Sequence, residues 1–384
     1  MPTRRVLIIG SYPGSVVSFR GALIAALQEA GQEVHVAAPG LLASGAIAEY
    51  LVDRRVLVHD VPVRRAGTST LDDMVLAIKL FALIRRVGPD AILCYTIKPV
   101  IYGTLVAWAL RVRARYALVT GLGYAFTGGR RNLLTRLIRL LYRLALSCAD
   151  KVFFQNPDDE ALFRQMGILG EDADSVVVNG SGVDLLAFKA EPAPGGPLTF
   201  LMIGRLLGDK GAREYAAAAA RVRVLRPDVR FALVGWIDEN PDAIDESELA
   251  EWVRSSTLEF HGKLSDVRAV IAACSVYVLP SYREGTPRTV LEAMAIGRPI
   301  ITTDAPGCRE TVIDGDNGFL VPVKSVDALV EAMLRFVHDP ELAQRMGRRS
   351  REIAEEKYDV HKVNAVMLRE MGITAATEAL AGIP

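Results

Sequence analysis

Two successive series of short apolar runs, interleaved with helical patterns, constrain this chain more than any other feature. In the first series Val6–Ile9 is followed by a helical pattern over Gly21–Ala30, then Glu33–Ala37, then Ala91–Tyr95 with a helical pattern over Val100–Leu110, then Tyr116–Val119 and Lys151–Gln155. Runs this short and this continuously apolar suit strands buried on both faces, and their interleaving with helices predicts a parallel sheet. Turn residues then gather in Glu191-Pro-Ala-Pro-Gly-Gly-Pro197, which reads as a linker. A second series follows at Leu198–Ile203, Phe231–Val234, Leu258–Phe260, Val276–Leu279, Pro299–Thr302 and Gly318–Val321, and residues after Leu342 read as helical to near Met371. Open sheets of this type bind ligands beyond the carboxyl ends of their strands, so two of them predict a shared cleft. The expected division is an α/β domain over 1–188, a second over 189–358, and a terminal helical segment over 359–384.

Charge and cysteine usage narrow the function. The chain of 384 residues is formally neutral, yet residues 1–185 hold 21 Lys and Arg against 16 Asp and Glu. Much of that excess falls between Ile101 and Ala149, where Arg111, Arg113, Arg115, Arg130, Arg131, Arg136, Arg139 and Arg143 meet no acid. Such a stretch suits an anionic surface such as phospholipid, and no base-reading motif accompanies it. Cys94, Cys148, Cys274 and Cys308 are widely separated, which indicates neither a zinc site nor a disulfide framework and fits a reducing cytoplasm. The apolar run Val6–Ile9 is too short for a signal-peptide core. Ala91–Leu110 approaches the length of a membrane span, but Lys98 and Pro99 cut it, so it reads as strand, loop and helix.

The residues able to do chemistry cluster in the second series. Glu284-Gly-Thr-Pro-Arg-Thr-Val-Leu-Glu292 follows an apolar strand and opens a helix. Pro287 suits the first helical position and Thr286 its cap, so the N–H groups near Gly285 and Thr286 would meet a phosphate at the positive helix end. Glu284 on the loop and Glu292 two turns into the helix are placed to grip the two ends of a nucleotide sugar. Upstream, Gly204-Arg205-Leu-Leu-Gly-Asp-Lys210-Gly211 brings an Arg and a Lys to a strand end among glycines, where both can converge on a diphosphate. Fixed cations there would stabilise the charge that builds on a departing nucleotide, in place of a metal. Asp314-Gly-Asp-Asn-Gly318 has the composition of a tight turn, so Asp314 and Asp316 are not expected to hold a metal.

The acid-x7-acid motif, the Arg205/Lys210 pair about 80 residues before it, and the run from Leu279 to Pro322 together resemble the family-4 retaining glycosyltransferases of the GT-B fold. Gly14, Asn179-Gly-Ser-Gly-Val-Asp184 and His261-Gly-Lys-Leu264 extend the resemblance over nearly the whole chain. It implies two Rossmann-like domains facing a central cleft. It also implies that Arg205 and Lys210 hold the donor diphosphate beside Gly285 and Thr286, that Glu292 accepts from the ribose and Glu284 from the donor sugar. Backbone near Leu264 would read the base, and Gly14 would let the first loop approach the sugar. No metal or other cofactor is implied.

More narrowly, Ser18-Phe-Arg-Gly21, Thr96-Ile-Lys-Pro99 and Thr120-Gly-Leu-Gly-Tyr-Ala-Phe126 look like a bacterial subgroup that adds N-acetylhexosamine to undecaprenyl-diphosphate-linked sugars. That resemblance implies a UDP-sugar donor, a lipid-linked saccharide acceptor and a peripheral place on the cytoplasmic face of the cell membrane. Many family members carry a His on an N-domain loop where this chain has Gly121-Leu-Gly-Tyr124, so no catalytic base is assigned; Lys98 and Tyr124 are the acceptor-side candidates. His35, inside a strand, reads as structural. A nucleotide-sugar 2-epimerase and a non-catalytic nucleotide-sugar-binding partner share the architecture, whereas Gly10-Ser-Tyr-Pro-Gly14 does not fit the dinucleotide fingerprint of an oxidoreductase. Finally, Arg130–Leu146 repeats Leu133, Leu137, Leu140, Leu141 and Leu144 at helical spacing, with Arg136, Arg139 and Arg143 on another face. Those leucines would pack on the sheet, and the arginines could still meet lipid headgroups at on the order of 1 kcal/mol each.

Overall fold

Alternate residues of the N-terminal strands enter two different cores, as a sheet covered on both faces requires. In the computed structural model, which describes residues 4–63, 70–121, 133–238, 240, 242–339 and 341–373, β1 (Arg5–Ile9) sends Leu7 and Ile9 to one core and Val6 and Ile8 to the other. β4 (Ala91–Tyr95) divides in the same way, with Ile92 and Cys94 on one side and Leu93 and Tyr95 on the other. With β2 (Glu33–Ala38), β3 (Leu57–Asp60), β5 (Ala114–Val119), β6 (Lys151–Phe154) and β7 (Ser175–Val177) they form a parallel sheet ordered β3-β2-β1-β4-β5-β6-β7.

The second sheet repeats the plan. β8 (Thr199–Leu206), β9 (Arg230–Ile237), β10 (Glu259–Phe260), β11 (Val276–Leu279), β12 (Ile300–Thr303) and β13 (Gly318–Val321) pair in parallel in the order β10-β9-β8-β11-β12-β13. Both sheets therefore reverse direction of growth beside their first strand, at β1/β4 and at β8/β11, and such switch points open a crevice at the carboxyl ends. The chain divides into two compact units, Met1–Ser181 with His361–Pro384, and Gly182–Val360.

The helix Val360–Glu370 belongs with the first unit. Met367, Leu368 and Met371 enter its core, the Tyr116 hydroxyl donates to the Met371 carbonyl at 2.6 Å, and Lys151 pairs with Glu370 at 2.5 Å. The Pro- and Gly-rich segment after Glu191 is tied to the second unit, since the Arg298 guanidinium donates to the carbonyls of Glu191 and Pro192. Among the described residues no helix is long and apolar enough to cross a membrane.

Candidate functional site

The β8/β11 switch point of the second unit gathers most of the residues singled out above. β8 runs further than its apolar core, because pairing with β9 continues through Gly204↔Gly235 and Arg205↔Trp236. Arg205 therefore leaves from the strand itself, rather than from the loop after it, and its guanidinium meets Asp238 Oδ2 at 3.0 Å. The chain then turns through Gly208–Lys210, and Lys210 Nζ donates to Glu284 Oε1 at 2.5 Å. Ser281, fully buried, donates its hydroxyl to the same Glu284 oxygen at 2.8 Å.

Close backbone packing holds these two loops together. Gly211 has φ +76°, and a Cβ there would lie 2.2 Å from the Pro280 carbonyl oxygen. The Tyr282 N–H donates to the Asp209 carbonyl at 2.8 Å. Behind them the loop after β12 presses on the Glu284 segment: the Glu284 N–H donates to the Pro306 carbonyl at 2.9 Å, and a Cβ on Gly307 (φ +79°) would strike the Glu284 carbonyl oxygen at 2.2 Å. Only glycine allows that approach without displacing the acid.

The helix opening differs by one residue from the sequence expectation. Pro287 is the cap, with ψ 109°, and its carbonyl accepts from the Val290 and Leu291 N–H groups, so the helix spans Arg288–Ile296 and Thr286 lies one residue further out. Glu292 consequently stands one turn into the helix. It is only 5% exposed, among neighbours buried on every side, and Arg288 Nε meets its Oε1 at 2.7 Å. Burial pushes the Glu292 carboxyl above the usual carboxylate range, against the opposing pull of Arg288. Asp209 is raised for the same first reason, with Lys210 acting against it.

Leu264 lies in the loop beyond β10, partly exposed. That loop is pinned to the end of β9 by the Gly235 N–H donating to the Gly262 carbonyl at 2.9 Å, and Lys263 Nζ sits 4.8 Å from the Trp236 ring centre. Asp314-Gly-Asp316 forms a turn before β13: Asp314 Oδ1 accepts from the Leu320 N–H at 2.9 Å and Asp316 Oδ2 from Arg349 at 2.8 Å. No group of His, Cys, Asp and Glu among the described residues could hold a metal ion.

In the first unit Gly14 is the second residue of the helix Pro13–Glu29 rather than a loop residue. Lys98 is not presented as a free cation, for its Nζ meets Asp73 Oδ1 at 2.7 Å while the Tyr102 hydroxyl donates to Asp73 Oδ2 at 2.9 Å. Tyr124 lies outside the described residues. His35, mid-strand and buried, bonds His59 at 3.0 Å and Glu33 at 2.9 Å, and burial pushes the His59 imidazole down to about 4. At the β1/β4 switch point the Thr96 hydroxyl donates to Ser11 at 3.0 Å, Ser15 and Tyr95 share a hydrogen bond of 3.0 Å, and the buried Arg20 lies over the Tyr95 ring.

Comparison with known proteins agrees with this architecture. A family model described as glycosyl transferase 4-like domain matches residues 16–182, and one described as glycosyl transferases group 1 matches residues 185–353. The chain belongs to the group 1 glycosyltransferases with a 4-like N-terminal domain, and it is a glycosyltransferase of the GT-B fold. Within that class it is 28% identical over 91% of its length, and 94% of the relative's, to the N,N'-diacetylbacillosaminyl-diphospho-undecaprenol alpha-1,3-N-acetylgalactosaminyltransferase of Campylobacter jejuni. A UDP-Gal:alpha-D-GlcNAc-diphosphoundecaprenol alpha-1,3-galactosyltransferase of Escherichia coli is 27% identical over 77% of this chain and 78% of its own. Among solved structures, Anabaena HepE in complex with UDP and glucose superposes with a TM-score of 0.77 at 20% identity, covering 96% of this chain and 99% of HepE.

Proposed function

We propose that this chain moves a sugar, an N-acetylhexosamine, from a UDP-sugar to a polyprenyl-diphosphate-linked saccharide, with retention at the anomeric carbon, in surface polysaccharide or glycan assembly. The observation that carries the reading is the convergence of Arg205, Lys210 and Glu284 at the β8/β11 switch point. Arg205 and Lys210 stabilise the diphosphate as its bond to the sugar breaks, with Gly285 and Thr286 beside it ahead of the helix Arg288–Ile296, whose positive end favours an anion. Glu292 accepts from the ribose, Glu284 from donor-sugar hydroxyls, and the backbone near Leu264 reads the base. Gly14, and Lys98 with Tyr124 on the acceptor side, complete the assignment. In a front-face substitution the acceptor oxygen bonds to the anomeric carbon as the phosphate oxygen leaves, and that oxygen takes the acceptor proton, so no side-chain base is required.

The C. jejuni and E. coli relatives, whose names state lipid-diphosphate-linked acceptors, support the acceptor class. A peripheral position on the cytoplasmic face of the membrane goes with it, through the basic segment Arg130–Leu146, of which Arg130 and Arg131 lie outside the described residues. The experiment is a screen of UDP-sugars for UDP release with a short-chain lipid-diphosphate acceptor. Acceptor-dependent release of UDP supports transfer; free hexosamine and UDP without acceptor would favour an epimerase, and donor binding without turnover a non-catalytic partner.

A further inference from the structure

The site leaves unused an exposed apolar surface of the first unit. Helices Thr70–Val87, Thr104–Ala109 and Leu133–Ser147 share one face of the seven-stranded sheet, where Leu76, Leu80, Ala107, Tyr142 and Leu146 join a single core. Thr104–Ala109 packs against both of the longer helices. A helix lying on a sheet ordinarily turns a polar face outward. Thr70–Val87 instead leaves Leu71, Met74, Val75, Ile78 and Phe81 exposed, at spacings of three and four that set them opposite its buried Leu76, Leu80 and Ile84; Ile78 is 61% exposed. Trp108, 56% exposed, continues the apolar surface on the short helix, and Leu137, Leu140 and Leu144 continue it on the third.

That last observation reverses the sequence expectation for Leu137, Leu140 and Leu144. The core is met by Tyr142 and Leu146, with Ala145 buried beside them and Ile138 and Leu141 partly buried, while Leu137, Leu140 and Leu144 face outward beside Arg136 and Arg143. Apolar residues exposed singly are ordinary, but a strip running over three adjacent helices marks a surface that something covers. Charge indicates what. Lys79, Arg85, Arg111, Arg113, Arg136 and Arg143 are exposed on these helices and on the turn that leads from Thr104–Ala109 into β5, and Asp72 and Asp73 are the only acids on the three. Asp73 is already paired with Lys98. A second copy of the chain, meeting this face through a two-fold axis, would set arginine against arginine; an anionic lipid surface would neutralise them. An 18-residue helix reaches about 27 Å, short of the roughly 30 Å hydrocarbon core, and this one carries charge, so it suits the interface plane rather than a span.

We infer that this three-helix surface lies flat on an anionic bilayer, with Ile78, Trp108 and Leu140 at the boundary of headgroups and acyl chains and Arg136 and Arg143 among the headgroups. The inference rests on the membrane reading above and deepens it, from charge attraction along one helix to insertion of a composite apolar face.

The test uses the full chain carrying Trp236→Phe and Trp252→Phe, both in the second unit, which leaves Trp108 as its sole tryptophan. Vesicles of phosphatidylglycerol and phosphatidylcholine, with and without brominated acyl chains, contain neither donor nor acceptor. Binding should shift Trp108 emission to the blue and allow the bromines to quench it, and Ile78→Asp with Leu140→Asp should weaken vesicle binding at least about tenfold while the thermal midpoint stays put. Salt-sensitive binding with no quenching, and no loss in the Asp variant, would overturn insertion and leave charge attraction alone. No vesicle binding at all would overturn both membrane readings, leaving sugar transfer to a soluble acceptor to be judged separately. A lipid-free dimer, seen by sedimentation and dissociated by the Asp variant, would assign the face to a second copy instead.

Discussion

The two switch points of this molecule share a topology and differ in chemistry. Around β8/β11 the polar side chains are held as ion pairs: Arg205 with Asp238, Lys210 with Glu284, and Arg288 with the buried Glu292. Around β1/β4 the described residues are mostly hydroxyls, Ser11 with Thr96 and Ser15 with Tyr95, while the cations there are the buried Arg20, set over the Tyr95 ring, and Lys98, paired with Asp73. An ion-paired crevice is poised for an anion, because a diphosphate can recruit cations that are already oriented and partly desolvated, whereas a hydroxyl-lined one is suited to neutral polar groups such as those of a saccharide. The fold thus supplies two topologically equivalent crevices, and on the function proposed above side-chain choice at the strand ends divides their labour.

The sharpest way to break that comparison is to remove one cation. Arg205→Ala or Lys210→Ala should lower turnover roughly 100- to 1,000-fold, the loss typical of one transition-state donor. Lys210→Ala also strips Glu284 of its pairing at 2.5 Å, so the two variants should differ in donor KM, with Lys210→Ala the more affected. Rates near wild type in both would mean that the diphosphate binds elsewhere.

Glu292 offers the second test, and its sign follows from burial. Its carboxyl is held above the ordinary carboxylate value of 4.5, so on acidification it takes up a proton earlier than a free carboxylate and becomes a weaker acceptor for a ribose hydroxyl. UDP affinity should therefore fall as pH drops, with an inflection above 4.5 that is absent in Glu292→Gln. Glu292→Ala should weaken UDP binding on the order of 10- to 100-fold at neutral pH, as loss of a charged hydrogen bond does, with less effect on turnover. A pH-independent UDP affinity in wild type would remove Glu292 from the nucleotide site.

How much of this could be read from the chain depends on which interactions are local. Arg288–Glu292 is an i, i+4 pair and was open to sequence inspection, but Asp238 stands 33 residues from Arg205 and becomes its neighbour only through the β8–β9 register. The interior strands announced themselves as continuous apolar runs. β3 and β7 did not, since Leu57–Asp60 and Ser175–Val177 lie at the sheet edges, half exposed, with no such run. Helical periodicity located Leu133–Ser147 but could not orient it: two apolar stripes share that helix, and only the sheet beneath decides that Tyr142 and Leu146 go in and Leu140 stays out.

Thr96 gives a subtler probe of the hydroxyl-lined crevice. It is β-branched with φ +68°, a conformation costing roughly 1–3 kcal/mol, and it stands at the carboxyl end of β4. Thr96→Gly relieves the strain but forfeits the bond to Ser11 and adds freedom to the unfolded chain, so denaturant midpoints should move little, within about 1 kcal/mol. If the strain serves to present the hydroxyl, KM for the acceptor should rise several-fold while KM for the donor is unchanged. A clear gain in stability with both KM values intact would make Thr96 a packing accident and weaken the division of labour.

The smallest expected effect is none. If the paired cations of the second unit provide the charge that a departing diphosphate requires, no divalent ion is needed, and activity should persist in EDTA. Asp314 and Asp316 are the residues a metal reading would favour, yet Asp314 is engaged by the Leu320 N–H and Asp316 by Arg349. Asp316→Asn weakens one exposed ion pair that solvent already screens, and should leave turnover unchanged and the thermal midpoint nearly so. Loss of activity in chelator, restored by manganese, would show that Arg205 and Lys210 do not suffice, and the contrast between an ionic and a hydroxyl-lined crevice would then describe only part of how the diphosphate is held.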